Sequence, residues 1–346
     1  MPPRSRRSPL RSRLPAAPAR RSGREARLTI RARMRAVPIV NQSREVLRLD
    51  HVTAQTGKSA CRDISFSVPS GSIHSVLGEE GSGKTAIISC VLGKSRPSSG
   101  RVWITGQDAW SDRRLFSDYV EGLTPELRIR RSVTVQQLSK HCAKRHERWD
   151  DQGLNQRLFR LGVPSDRAWK ELAPAQQTAA LLALALAGSP HLLVLHAADV
   201  HSPGAHADTW IQEVRKAASD GITVLIATDR PEHVENLTDG VSILREGTLL
   251  VTSSSDALKS RFRKIQYRNE ITPERKDYGN ELDEFDAARV RVRGWGVEAI
   301  VSNFSDVLYD RFRGIPGIVD AEALPMSLAE IFETVARPRR INRSLS

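Results

Sequence analysis

The stretch that most narrows what this chain can fold into is GEEGSGKT, Gly78–Thr85. It fits G-x-x-x-x-G-K-[ST] and lies between two apolar segments. SIHSVLG before it predicts a buried strand ending at Gly78, and TAIISCVLG after it predicts a helix stopped by Gly93. In that context Gly78, Glu79, Glu80, Gly81, Ser82, Gly83, Lys84 and Thr85 are the candidate phosphate-binding residues. Gly81 and Gly83 let the backbone approach phosphate oxygens, with N–H groups pointing inward at a helix N-terminus. Lys84 is placed to reach the β- and γ-phosphates of a nucleotide, and the Thr85 hydroxyl to ligate magnesium. Glu79 and Glu80 oppose anion binding unless they face solvent.

The surrounding pattern places that loop in an α/β domain. Val46–Val52 and Ile64–Val68 alternate like antiparallel strands, with a turn near Gly57, and Arg101–Thr105 predicts a further strand. Ala173–Ala187 and Trp210–Ala218 predict helices, Leu192–Leu195 and Ile222–Ala227 buried strands. Val241–Leu244 and Thr248–Val251 predict a hairpin turned at Glu246-Gly247. Strands alternating with helices point to a mainly parallel sheet with covered faces. Residues 110–170 are polar and helix-prone and read as a helical insertion. From about Ala257 the pattern shifts: ARVRVRGWG (288–296) alternates Arg with Val, and Ser327–Val335 predicts a terminal helix. Residues 257–336 therefore read as a small α+β appendage to a main domain of 44–255, and 337–346 as a disordered tail.

Charge belongs mostly to one end. The net charge is +13, but residues 1–36 hold twelve Arg against the single acid Glu25. The rest is nearly balanced, so nucleic acid is not an expected partner. The Arg-, Pro- and Ser-rich tail predicts disorder. It reads as a polybasic arm, an organelle-type presequence or, more plainly, a non-essential leader ahead of Met34. Cys61, Cys90 and Cys142 are far apart, without metal spacing, and suit a reducing compartment. The most apolar run, AALLALALAGSPHLLVL from Ala179, is interrupted by Gly188-Ser189-Pro190, short of the about twenty residues a membrane span requires.

The order of these landmarks over 45–253 resembles the ATP-binding subunit of an ABC transporter. RPSSGRVWITGQD, LAGSPHLLVL and DGVSILREGTLL carry the resemblance beyond the phosphate loop, and EALPMSLAEIFETVA at 322–336 is similar to the C-terminal extension of subunits serving exporters with a separate permease chain. The resemblance implies a P-loop NTPase fold with an antiparallel β subdomain, ATP and Mg²⁺ as cofactors, and a membrane permease and a second ATP-binding subunit as partners. It also implies a location in the cytoplasm, peripheral to the inner face of the membrane.

Carried over place by place, the resemblance implies that most other working residues are replaced. The adenine-stacking aromatic falls on Thr56, in VTAQTGK, where loss of base stacking is worth about 1–3 kcal/mol. The Gln touching metal and water falls on Gly122, in YVEGL. The LSGGQ signature becomes LAPAQ, Leu172–Gln176, where Ala173 lacks the hydroxyl and Pro174 lacks an N–H. In LLVLHAADV the metal-holding Asp falls on His196 and the water-ordering Glu on Ala197. The next loop Asp falls near Pro203, and the switch His on Asp229. Asp199 lies three places beyond the usual carboxylate, too far along the loop for general-base work, which contributes about 10²–10⁴ in rate.

His191, His196, His201 and His206 recur every five residues, yet His191 and His196 bracket a strand and stand roughly 16 Å apart at 3.3 Å per residue. A metal site from His196, His201 and His206 stays open beside the plainer reading of scattered loop histidines. No catalytic residue is assigned. Three functions compete: a transporter subunit that holds ATP but hydrolyses it poorly, a working MgATPase with unconventional ligands, and a regulatory or scaffolding protein outside transport. Turnover abolished by Lys84→Ala marks the second. Failure to co-purify with any membrane protein marks the third.

Overall fold

The computed structural model describes residues 45–124, 128–146, 148–196, 207–270 and 280–337, all within one compact unit spanning 43–346. The Arg-rich tail, the last nine residues, and Ala197, Asp199, His201, Pro203 and His206 lie outside the described residues.

Four apolar runs build the centre of the molecule: β3 (Ile73–Gly78), β7 (Leu192–His196), β8 (Thr223–Thr228) and β9 (Gly240–Arg245). Buried on both faces, they pair in parallel, as such runs must when helices cover both sides. β6 (Val120–Leu123) and β10 (Thr248–Ser254) complete the order β10-β9-β3-β8-β7-β6. β10 runs antiparallel to β9 through a two-residue turn, Glu246 and Gly247 both at positive φ (49° and 80°). β6 lies within 110–170, so that stretch is not purely helical: it contributes an edge strand, with Gly122 opposite Val194.

Register decides what meets at the carboxyl edge of this sheet. Leu77 pairs with Thr228 and His196 with Ala227, so the phosphate loop, His196 and Asp229 emerge side by side. The loop runs into helix α1 (Lys84–Val91). One side of α1 packs against an antiparallel sheet of β1 (Glu45–Thr56), β2 (Ser59–Pro69), β4 (Ser99–Ile104) and β5 (Gln107–Asp108), in the order β2-β1-β4-β5. Leu47, Ile64, Ile87 and Ile104 are fully buried between them.

The insertion holds α2 (Arg114–Tyr119), α3 (Val135–Ala143) and α4 (Asp151–Arg160), and leads to α5 (Pro174–Ala187). α3 begins with a reciprocal cap: Thr134 Oγ1 accepts the Gln137 N–H (3.2 Å), and Gln137 Oε1 accepts the Thr134 N–H (3.1 Å). The backbone before it zips to the segment entering α5, through Trp169 N–H to Val133 O (2.8 Å) and Lys170 N–H to Arg131 O (3.0 Å).

Beyond α6 (Ala207–Ser219), which precedes β8, and α7 (Ser255–Arg261), a third sheet orders β12 (Ala287–Arg293), β13 (Gly296–Val301), β11 (Arg263–Asn269) and β14 (Ile318–Pro325). With α8 (Asp306–Arg313) it encloses its own core of Ile265, Tyr267, Phe285 and Phe312. The last helix, α9 (Leu328–Ala336), does not pack there. Its Leu328, Ile331 and Phe332 are buried in the main core with Leu77 and Ile243. The Glu235 carboxylate holds its start, accepting the Leu328 N–H (3.0 and 3.1 Å) while pairing with Lys259 Nζ (2.9 Å).

Candidate functional site

The phosphate loop is formed as its sequence demands. Gly81 and Gly83 have φ of 80° and 104°, values that glycine alone adopts without strain. At Gly83 a Cβ would also stand 2.6 Å from the Ala60 carbonyl, so the β subdomain presses directly on the loop. Ser82 N–H donates to Glu79 O (3.1 Å), and Gly247 N–H to Ser82 O (3.1 Å), tying the loop to the β9–β10 turn.

Lys84 is buried, and its ammonium donates to Gly78 O (2.6 Å), Glu79 O (2.9 Å) and Ser82 Oγ (3.4 Å). Burial pulls its pKa down, against the carboxylates of Asp229, Glu80 and Glu79, which push it up. The cation is therefore aimed along the inside of the loop, within the field of three acids.

Thr85 and His196 meet: Oγ1 and Nε2 share a hydrogen bond of 3.3 Å. His196 is buried at the end of β7, so the place the resemblance gives to a metal-holding carboxylate carries a nitrogen against the very hydroxyl expected to bind the metal. Magnesium takes oxygen ligands, using one or two carboxylates with substrate phosphates and water. Thr85 offers one oxygen, its neighbour is an imidazole, and among the described residues no three His, Cys, Asp or Glu side chains are grouped closely enough to hold a metal ion. This donor set does not fit magnesium.

Glu79, Glu80 and Asp229 line a cavity of about 330 Å³ beside the loop, together with Phe332, Glu333 and Arg337 from α9 and its end. Arg337 ion-pairs with Glu79 and with Glu333 (3.1 Å). Sequence reasoning missed this wall altogether; its one legible trace was SLAE, the capping box Ser327–Glu330 that starts α9.

The other replaced places are less close. A Cβ at Gly122 would stand 2.5 Å from Leu92 Cδ2, so a glutamine there collides unless Leu92 moves. At α5 the Ala173 N–H is taken by Gln176 Oε1 (3.1 Å), and Gln176 Nε2 is tied to Gly162 O (2.8 Å). With Pro174 donating nothing, the start of α5 offers a phosphate few donors. His191 stands at the opposite end of β7 from His196, against Tyr119 with ring centroids 4.6 Å apart.

A glycine loop with a buried lysine, opening a helix at the carboxyl edge of a parallel sheet, makes this a P-loop nucleotide-binding domain. Comparison with known proteins narrows that class. Residues 61–197 match the family model described as ABC transporter. Its fold is that of the ATP-binding cassette. A solved ATP-binding subunit of an ABC transporter superposes with a TM-score of 0.54 at 16% identity, over 62% of this chain and 92% of that one. A bacterial Atm1-family ABC exporter with ATP bound gives 0.55 at 17%, over 69% and 46%.

Among curated proteins, ABC transporter G family member 23 of Dictyostelium discoideum is 26% identical over 224 residues, 63% of this chain and 32% of its own length. Ribose import ATP-binding protein RbsA 2 of Streptomyces avermitilis is 26% identical over 299 residues, 80% of this chain and 57% of its own. The chain thus spans from a third to somewhat over half the length of these relatives.

Proposed function

We propose that this chain is the ATP-binding subunit of an ABC transporter and that it holds nucleotide while hydrolysing it slowly or not at all. The observation that carries this is the pairing of a fully formed phosphate loop around buried Lys84 with His196 set against Thr85. Binding needs the loop, the helix N-terminus and the lysine, and all are in place. Hydrolysis needs a group to order water and donors to stabilise charge developing on the phosphate, and each such donor is worth roughly 10²–10³ in rate. By the resemblance the water-ordering Glu falls on Ala197 and the metal-holding Asp on His196, and Pro174 removes an N–H from the signature.

The transporter context implies a separate membrane permease and a second, competent ATP-binding subunit, with this chain at the inner face of the membrane. No helix among the described residues is long and apolar enough to cross it. We take export as the direction, because the sequence after residue 257 resembles the extension of exporter subunits. The relative named for ribose import speaks for the opposite direction.

The test is calorimetric titration of the purified chain with ATP, beside a steady-state phosphate-release assay, with Lys84→Ala as the control. Saturable binding lost in Lys84→Ala, with turnover at the buffer rate, is the expected result. Turnover that depends on Lys84 would replace this reading with that of a working ATPase.

A further inference from the structure

The electrostatics of this loop pose a problem. A nucleoside triphosphate brings about four negative charges to a mouth that already holds Glu79, Glu80 and Asp229. Phosphate loops ordinarily answer with a divalent cation held through the Ser/Thr hydroxyl and a carboxylate. Here the hydroxyl of Thr85 is hydrogen-bonded to His196 Nε2, and the imidazole is buried at the end of a central strand. A magnesium ion at Thr85 would meet a ring nitrogen where a carboxylate oxygen ordinarily stands, and its affinity for nitrogen is low. The protein offers two other sources of positive charge. Lys84 lies inside the loop, and Arg337 approaches from outside, neutralising Glu79.

We infer that this site binds a nucleoside triphosphate without help from magnesium, with Lys84 and the loop N–H groups gripping the phosphates and Arg337 offsetting Glu79. The inference rests on the ATP-binding reading above and deepens it: the ligand is the free nucleotide rather than its magnesium complex. His196 is the residue that sets this preference. An aspartate in its place would restore an oxygen ligand beside Thr85.

The experiment is titration of the full chain with ATP by calorimetry in three buffers, one with EDTA, one with MgCl₂ and one with CoCl₂, repeated on His196→Asp. The expected result is a Kd that changes by less than about threefold between EDTA and magnesium in the native chain, while magnesium tightens His196→Asp by roughly tenfold or more. Cobalt tightening the native chain where magnesium does not also supports the inference, because imidazole suits that ion. Magnesium tightening the native chain by more than about threefold overturns it. Should His196→Asp fail to fold, the comparison between EDTA and magnesium in the native chain still decides the matter. Absence of saturable binding in every buffer sinks the ATP reading and this inference together, whereas binding that requires magnesium sinks only this one.

Discussion

The guanidinium of Arg337, just past the last helix, is ion-paired with the carboxylate of Glu79 in the phosphate loop, 258 residues earlier in the chain. Both side chains are about half exposed, so the pair is screened and adds little to stability. Its consequence is local: it sets the charge that an incoming phosphate meets. Arg337→Ala is expected to weaken ATP binding about two- to fivefold at low ionic strength, with the difference fading towards 1 M salt, where the screening length is about 3 Å. Glu79→Gln is expected to act in the opposite direction, and the double variant to lie close to the native chain. Equal Kd values for Arg337→Ala and native protein at low salt would exclude this role.

His74 carries the clearest pH signature. It is buried in β3, stacked on Phe66 with centroids 5.2 Å apart, and hydrogen-bonded through Nε2 to Ser242 Oγ (2.9 Å). Burial pushes its pKa down from 6.5 to about 4. A histidine held neutral in the fold and free to protonate when unfolded makes the unfolded state bind more protons at low pH. Its contribution to stability is therefore intact above pH 6.5 and is lost as the pH falls towards 4, by about 3 kcal/mol across that window. Urea unfolding at pH 7 and pH 5 should show the loss, and His74→Gln should flatten the difference.

Glu235 joins the last helix to the nucleotide domain through the Leu328 N–H and Lys259. Glu235→Ala strips an acceptor from the start of α9 and is expected to cost about 1–3 kcal/mol, with Glu235→Gln costing less because an acceptor oxygen remains. Limited proteolysis should cut near residues 326–337 more readily in Glu235→Ala than in the native chain. If the cleavage rates match, the Glu235 carboxylate does not hold α9 in place.

The thiols should separate cleanly. Cys61 and Cys90 are fully buried, and burial pushes the Cys90 thiol up to about 12, whereas Cys142 is half-buried. A thiol reagent at pH 8 is expected to modify Cys142 first, and Cys61 and Cys90 only on unfolding. Prompt reaction of two or more thiols in the native protein would contradict this packing.

Local rules account for the features legible in the chain. GEEGSGKT between an apolar strand and an apolar helix specified the loop, because glycine's φ freedom and the lysine's reach are properties of that segment alone. The buried strands, the Glu246-Gly247 turn and the capped start of α9 were legible for the same reason. The remaining features depend on packing between distant segments. Val120–Leu123 looked like part of a helical insertion because four residues carry no readable period, and parallel pairing with β7 makes them a strand. The stretch SLAEIFETV reads as an amphipathic helix in any context, but nothing local says which core its apolar face will fill; the depth of the main core beside Leu77 and Ile243 settles that. That placement brings Arg337 to Glu79. His196 and Thr85 likewise become partners only when parallel register sets the end of β7 beside the phosphate loop, a relation between strands that no single segment encodes.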